Sequence, residues 1–243
     1  TRELGSQVTG ESSTRTLAQV LNTQGHLQLA QGQESEALAT WQQAEAAYSR
    51  VSDEVGMLGS QINQALALQA LGMHRRAKTN LEGVKQRLQA HSDSQLKATG
   101  LRNLGNVLRR IGDLEASRQV LEQSLAVTES LAAKERSLSG ELPSDISATL
   151  LSLGNTARAQ DKSDQALALY QQAAAAAVLP TSKIQAQVNQ LSLLIETEQW
   201  AAAQAMWSQI QFQLADMPSS RIAVYAEINL AQSLMKMRIR ARS

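Results

Sequence analysis

Five segments of this chain align with one another without an internal gap, and this repetition constrains the fold more than any other feature. The segments begin at Leu21, Gln61, Leu101, Leu150 and Gln187. Self-similarity at a spacing of roughly 20–50 residues is typical of chains built from one small unit that is stacked several times. Each unit buries its apolar face against its neighbours, so we expect an array of repeats without one central core.

Four positions of each segment hold the same kind of residue. The small position holds Gly25, Ala65, Gly105 and Gly154, with Leu191 as a departure. The turn position holds Gly32, Gly72, Gly112, Asp161 and Glu198. The second small position holds Ala37, Ala77, Ser117, Ala166 and Ala203. The large position holds Trp41, Leu81, Leu121, Tyr170 and Trp207. The pattern predicts one helical hairpin per repeat, with small residues where its two helices approach closely.

The composition favours helices over strands. Aromatic residues make up only 3% of the chain, and there are 13 glycines and three prolines. A core built from Ala, Leu, Val and Ile suits close-packed helices, and an all-β chain would need more turn residues. We therefore predict an all-α protein.

The repeated pattern resembles that of the tetratricopeptide repeat (TPR) family. The third repeat matches the family pattern through Leu104, Gly105 and Gly112, and the first through Gly25 and Trp41. The first aromatic residue of the family pattern is replaced by Gln28, Leu68, Leu108, Ala157 and Leu194. The resemblance implies an α-α superhelix, a TPR solenoid of five helical hairpins plus a C-terminal capping helix.

The spacing of the repeats gives the expected domain boundaries. The second small position recurs after 40, 40, 49 and 37 residues, whereas the usual TPR period is ~34. The widest gap holds Gly140 and Pro143, which break helices. We expect an N-terminal extension over 1–15, the TPR array over 16–238 and a tail over 239–243. The predicted elements of the array are repeats at approximately 18–53, 58–92, 98–136, 147–180 and 184–217, and a cap helix at 220–238.

Asparagine recurs on the first helix of the hairpins, which the resemblance places along a concave groove. One groove position holds Asn63, Asn103, Asn189 and Asn229, besides Thr23 and Ser152, and another holds His26, Asn106 and Asn155. Because Asn is a poor helix former, its recurrence inside helices favours a role for the side chain. A row of amides can pair with the N–H and C=O groups of an extended peptide. Alternatively, these amides bond to neighbouring helices or simply lie in a polar groove.

Arginines of the third and fourth repeats are expected to add a basic patch to the same groove. They are Arg102, Arg109, Arg110 and Arg158. Because arginine suits bidentate pairing with carboxylates, an acidic peptide segment or a free C-terminus is the expected partner. The alternative is that these arginines are solvated or paired within the chain, for instance with Asp113 or Glu115.

The sequence offers no catalytic or metal-binding pattern. Cysteine is absent, which removes thiolate metal sites and cysteine nucleophiles. His26, His74 and His91 fall in different structural contexts, and none has a second histidine at metal-ligand spacing. Phosphate-binding glycine loops and nucleophile motifs are missing as well. We therefore expect neither an enzyme nor a metal or cofactor.

Charge and hydropathy narrow the class of partner to proteins and peptides. A net charge of +1 does not require a nucleic acid. The longest apolar run, over 173–179, is far shorter than the roughly 20 residues of a membrane span. The absence of cysteine does not settle the compartment. The cytoplasm is slightly favoured, and the periplasm would require a signal peptide that has been removed.

The amino-acid sequence of the first two repeats is similar to that of repeats in a narrower group of proteins. LAQGQESEALATWQQAEAAY and GSQINQALALQALGMHRRA resemble the TPR arrays of cyanobacterial proteins that carry a C-terminal CHAT domain, a caspase-like peptidase module. The resemblance implies a recognition or regulatory arm of a larger protein. We expect a protein–protein interaction scaffold that binds an extended peptide or partner segment in its concave groove. The alternative is a structural module that self-associates weakly by stacking through its terminal helices.

Overall fold

The structure is a computed structural model that describes residues 2–89, 92–136 and 145–215, together with Ala231 and Met235. These ranges contain ten helices and no strand. The helices are α1 Arg2–Ala30, α2 Glu34–Arg50, α3 Glu54–Ala70, α4 His74–Leu88, α5 Gln95–Arg110, α6 Leu114–Arg136, α7 Asp145–Ala159, α8 Ser163–Ala175, α9 Pro180–Glu196 and α10 Trp200–Ala215. The prediction of an all-α protein is confirmed.

The helices pair in chain order into five hairpins whose turns share one geometry. The residue at the turn position has a positive φ in every hairpin, from 59° at Asp161 to 87° at Gly112. In each turn the next N–H donates to the carbonyl five residues earlier, as in the 2.8 Å bond from Met73 to Leu68. This bond satisfies a carbonyl that the end of the first helix leaves without a partner. Asp161 and Glu198 are not glycines, yet they adopt the same left-handed conformation, which is unfavourable for a residue with a Cβ atom.

The chain divides into two compact units, Thr1–Val127 and Thr128–Ser243. In the first unit, α3 packs against α2, α4 and α5. One cluster of its core combines Ala37, Trp41 and Ala67. In the second unit, α9 packs against α7, α8 and α10. One cluster of its core is aliphatic and holds Ile184, Val188, Leu191, Leu194, Ile195, Ala203, Ile210 and Leu214.

The small position and the large position of one repeat face each other across the hairpin. A Cβ atom at Gly25 would lie 2.5 Å from Nε1 of Trp41, and one at Gly154 would lie 2.5 Å from Cε1 of Tyr170. Both aromatic residues are fully buried. Glycine therefore makes room in these two repeats for a ring that lies against the backbone of the first helix.

Two of the predicted segments lie wholly or mostly outside the described residues. They are the tail over 239–243 and the cap helix over 220–238, of which only Ala231 and Met235 are described. The repeat boundaries themselves stay predictions. No described helix combines the length and the apolar character that crossing a bilayer requires.

Candidate functional site

Four side chains join the first two repeats, and we name them the N-terminal amide cluster: Asn22, His26, Trp41 and Asn63. Nδ2 of Asn63 on α3 donates to Oδ1 of Asn22 on α1 over 2.8 Å. The same nitrogen lies 3.4 Å from Nε2 of His26. The ring of His26 meets Trp41 edge to face, with centroids 5.2 Å apart, and Nε1 of Trp41 donates to the backbone carbonyl of Asn22 over 3.1 Å. The polar contact of Asn63 with Asn22 and His26 thus lies beside the buried indole of Trp41.

A second group joins the fourth and fifth repeats, and we name it the C-terminal amide cluster: Asn155, Tyr170, Gln185 and Asn189. The hydroxyl of Tyr170 donates to Oδ1 of Asn155 over 2.9 Å. Nδ2 of Asn189 donates to the same oxygen over 3.0 Å. Oδ1 of Asn189 accepts from Nε2 of Gln185 over 3.2 Å. The orientation of both asparagine amides follows from this chain of hydrogen bonds.

The two clusters use equivalent positions of the repeat. His26 and Asn155 occupy one position of the first helix, and each contacts the aromatic residue at the large position of its own repeat. Asn63 and Asn189 occupy another position, and each reaches back to the preceding repeat. In the first and fourth repeats, a polar side chain on the first helix therefore links an aromatic residue of its own hairpin with an asparagine of the next one.

The predicted groove residues of the third repeat lie on α5 and differ in exposure. Asn103 is only 7% exposed and offers little surface to a ligand. Arg102, Asn106 and Arg109 are half-buried, and Arg110 is exposed. Their spacing places these four side chains along one face of the helix. They belong to the same unit as the N-terminal amide cluster.

Arg158 lies in the second unit, where it pairs with Glu196. Its Nε donates to Oε2 of Glu196 over 3.0 Å, and Nη2 donates to Oε1 in a second, parallel hydrogen bond. This bidentate pair joins α7 to α9 and occupies the guanidinium that was predicted to meet an acidic ligand. Asn229, the last predicted groove residue, lies outside the described residues.

Sequence reasoning left several members of the site out. Asn22, Gln185 and Glu196 carry polar contacts that the repeat pattern does not mark. Their positions on the first helices were a usable signal, because a polar residue one turn away from a groove position shares its face. Across the part of the chain that the structure describes, no group of three or more side chains is arranged to hold a metal ion.

Comparisons with known proteins identify the repeats. Two family models, both described as tetratricopeptide repeat, match residues 56–130 and 149–184. The chain therefore contains tetratricopeptide repeats. No curated protein sequence matches it.

Three solved structures illustrate the likeness in fold. A Podosopora anserina protein, described as a kinesin light chain with nearly identical TPR-like repeats, is 21% identical with a TM-score of 0.62, over 85% of this chain and 99% of its own. BtubC (BKLC) from P. vanneervenii is 15% identical with a TM-score of 0.65, over 90% and 95%. A Rap protein complexed with competence and sporulation factor is 12% identical with a TM-score of 0.68, over 90% and 56%. At these identities the likeness establishes the fold, and the predicted fold class, an α-α superhelix of the TPR type, is confirmed.

Proposed function

We propose that this chain is a protein–protein interaction scaffold that binds an extended partner segment along the first helices of its hairpins. The observation that carries the proposal is the repeated placement of amide, imidazole and guanidinium groups on these helices. Such groups donate to carbonyl and carboxylate oxygens, the acceptors that an extended peptide offers.

The amide clusters support binding through the backbone of the partner. Oδ1 of Asn155 already accepts two hydrogen bonds, from Tyr170 and Asn189. Its Nδ2 donates to no acceptor among the described residues, and the side chain is half-buried. Because the amide is held from the oxygen side, its N–H groups stay available to donate to a peptide carbonyl. Such contacts would not depend on the side chains of the partner.

The charge of α5 supports an acidic partner segment. This helix carries one lysine and three arginines and no acidic residue. Arg110 at its last position is exposed, and the half-buried Asn106 and Arg102 lie about one and two turns earlier on the same face. Guanidinium groups pair with carboxylates through two parallel hydrogen bonds. We therefore expect carboxylates in the part of the partner that passes over the third repeat.

The relatives support a role in recognition. The Rap protein with this fold was solved in a complex with competence and sporulation factor. The similarity of the first two repeats to arrays that precede a CHAT domain is the basis for one further part of the proposal. In that context the chain would serve as the recognition or regulatory arm of a larger protein.

A pair of matched variants tests the proposal. Arg110 ends α5, a first helix, and Arg50 ends α2, a second helix; both are exposed. Arg110→Glu and Arg50→Glu therefore lose the same favourable interaction with a helix C-terminus. Proteins captured by the intact chain should be retained by Arg50→Glu and lost by Arg110→Glu, with circular dichroism unchanged in both. Equal capture by the two variants would show that partners bind elsewhere.

Self-association through α1 is the second candidate function, because this helix exposes an apolar stripe. Half or more of the side chains of Leu17, Val20 and Leu27 is exposed. Exposed apolar patches of this kind mark contact surfaces. Val20→Lys should reduce the mass that light scattering records at high protein concentration, and Val55→Lys, at an equally exposed valine of α3, should not. A wild-type chain that stays monomeric at every concentration rules this function out.

A further inference from the structure

The second hairpin carries two arginines on its second helix, away from the first-helix positions described above. Arg75 and Arg76 lie in the first turn of α4, and both are exposed. Neither forms an ion pair with a described residue, and Nη1 of Arg76 lies 3.3 Å from Sδ of Met73. Lys78, one turn further on, has carboxylate partners in Glu82 at 3.7 Å and Asp113 at 4.0 Å.

These arginines stand where the helix itself disfavours cations. The N-terminus of a helix carries a partial positive charge, so acidic residues are normally placed there. The second helices α2, α6 and α8 follow that rule with Glu34, Glu115 and Asp164 among others. The first turns of α4 and α10 hold no acidic residue, and of these two only α4 has arginines there. Local helix stability therefore gives no reason for two arginines at this point, whereas an anionic partner would.

Two hollows adjoin the arginine pair. The first has a volume of about 520 Å³ and is lined by Gly72, Met73, His74 and Ile111 besides the arginines. The second has about 450 Å³ and lies between α2, α3 and α4. Its lining adds to the arginines the side chains of Leu38, Gln42, Gln64, Leu68, Thr79 and Asn80. Each hollow thus combines apolar walls with the same two guanidinium groups.

One residue that lines each hollow also has a buried polar atom without a hydrogen-bond partner in the described part of the chain. In the first it is Nδ1 of His74, and in the second Oδ1 of Asn80. Buried polar atoms are normally satisfied, so these two each lack a hydrogen bond that a polar ligand supplies once the side chain turns toward the hollow. A peptide backbone offers both N–H and C=O groups and meets this need after small side-chain rotations.

We infer that this surface, formed by Arg75, Arg76 and the two hollows, is a second docking site that takes an acidic segment of a protein partner. Carboxylates of the segment pair with the two guanidinium groups, and an adjacent apolar side chain enters the hollow beside Met73 and Ile111. Both of these residues are more than one-third exposed, so the apolar wall is open to a ligand. The site differs from the surface around Arg102, Asn106 and Arg110 of α5, because its two arginines lie on α4, the second helix of the second hairpin. Gln64 and Leu68 of α3 contribute only to the wall of the second hollow.

Fluorescence anisotropy with a labelled ten-residue peptide of alternating Glu and Leu tests the inference on the full chain. We expect saturable binding that weakens with added salt, since exposed ion pairs are screened. The matched peptide of alternating Gln and Leu should bind roughly tenfold more weakly, because each guanidinium loses a charged acceptor. The absence of binding by the Glu–Leu peptide at millimolar concentration would overturn the inference.

Variants test whether the peptide binds at Arg75, Arg76 and the two hollows. Arg75→Gln combined with Arg76→Gln should weaken binding roughly tenfold, and Ile111→Ser should weaken it less. Arg50→Gln, at an exposed arginine outside both surfaces, should leave it unchanged, and amide NMR shifts should move at Gly72, Thr79 and Ile111. If Arg110→Gln abolishes binding while the Arg75/Arg76 variant retains it, the peptide occupies the first-helix surface and the second site is refuted. Stronger binding of a phosphopeptide or of an RNA oligonucleotide than of the Glu–Leu peptide would refute the assignment of an acidic segment.

Discussion

The first and fifth repeats place a tryptophan at the same position but bury it to different extents. Trp41 is fully buried against Gly25, and its Nε1 donates to the carbonyl of Asn22. Trp207 is only partly buried, and its Nε1 has no hydrogen-bond partner among the described residues. The small position beside it holds Leu191, which is itself fully buried in the same cluster.

The difference shows that the small position controls how far the large side chain reaches. With glycine, the ring crosses the hairpin and its polar atom bonds to the first helix, as in Trp41 with Asn22 and Tyr170 with Asn155. With leucine at the small position, the ring of Trp207 is only partly buried and packs against the cluster that holds Leu191. The amide clusters occur in the two repeats that combine a small-position glycine with an aromatic residue at the large position. Packing of the aromatic ring thus brings its polar atom into contact with the polar residues of the first helix.

Removing the two indoles should give the largest contrast. Trp41→Ala should lower the free energy of unfolding by about 3–5 kcal/mol, the usual loss for a buried aromatic residue. Trp207→Ala should cost less than half of that, because the ring is partly solvated and donates no hydrogen bond to a described residue. Urea unfolding followed by far-UV circular dichroism measures both. Losses of equal size would mean that burial of the ring does not differ in solution.

Filling the small position of the fourth repeat should make the packing of its aromatic residue resemble that of the fifth repeat. A Cβ atom at Gly154 would lie 2.5 Å from the ring of Tyr170, so Gly154→Ala should displace the ring and cost ~1–3 kcal/mol. Gly83, on α4, has no heavy atom within 4 Å of an added Cβ. Gly83→Ala should instead stabilise the chain by about 0.4–1 kcal/mol. Thermal unfolding of the two variants should therefore shift in opposite directions, and a shift in the same direction would contradict the packing described.

The polar tip of Tyr170 should make a smaller contribution. Tyr170→Phe keeps the ring and removes the 2.9 Å hydrogen bond to Asn155. The loss should be about 0.5–1.5 kcal/mol, as for a typical hydrogen bond within a protein. A double-mutant cycle with Asn155→Ala should show coupling, because the two residues are in direct contact. Additive effects would indicate that the aromatic residue and the amide act separately.

The ion pair between Arg158 and Glu196 should have the smallest effect. About one-third of the Arg158 side chain and nearly half of the Glu196 side chain are exposed. The coupling energy from a cycle of Arg158→Ala and Glu196→Ala should be about 0.2–1 kcal/mol and should decrease in high salt. A coupling that exceeds that of the amide cluster would mean that charge, rather than the amides, holds the fourth and fifth repeats together.

The sequence was sufficient to predict the hairpins, because each depends on residues close together in the chain. A gap-free pattern of small, turn and large positions fixes where the two helices meet, and the turn residues have the left-handed geometry that glycine favours. Alignment with the glycines of the other repeats predicts a turn at Asp161 and at Glu198 as well.

The contacts between repeats could not be predicted in the same way. Asn189 and Asn155 are 34 residues apart, and Arg158 and Glu196 are 38 apart. Whether such side chains meet depends on the rotation of one hairpin against the next, which the repeat pattern leaves open. Alignment does not predict exposure either. Asn103 occupies the same repeat position as Asn63 and Asn189, which are half-buried, but Asn103 itself is buried. Peptide binding by these residues stays a prediction.

The common geometry of the hairpin turns has a consequence for how such an array can change in length. One left-handed residue and one hydrogen bond across five residues fix the connection within a hairpin. An inserted or deleted residue there would move the second helix out of register with the first. The link between α2 and α3 has the same geometry, with Ser52 at a φ of 52° and a 3.0 Å bond from the N–H of Asp53 to the carbonyl of Tyr48. The distance between successive repeats nevertheless varies from 37 to 49 residues, while the five aligned segments contain no gap. The differences in length thus fall outside the aligned segments, in the ends of the second helices and in the links that follow, where residues can be added without rebuilding the turn of a hairpin.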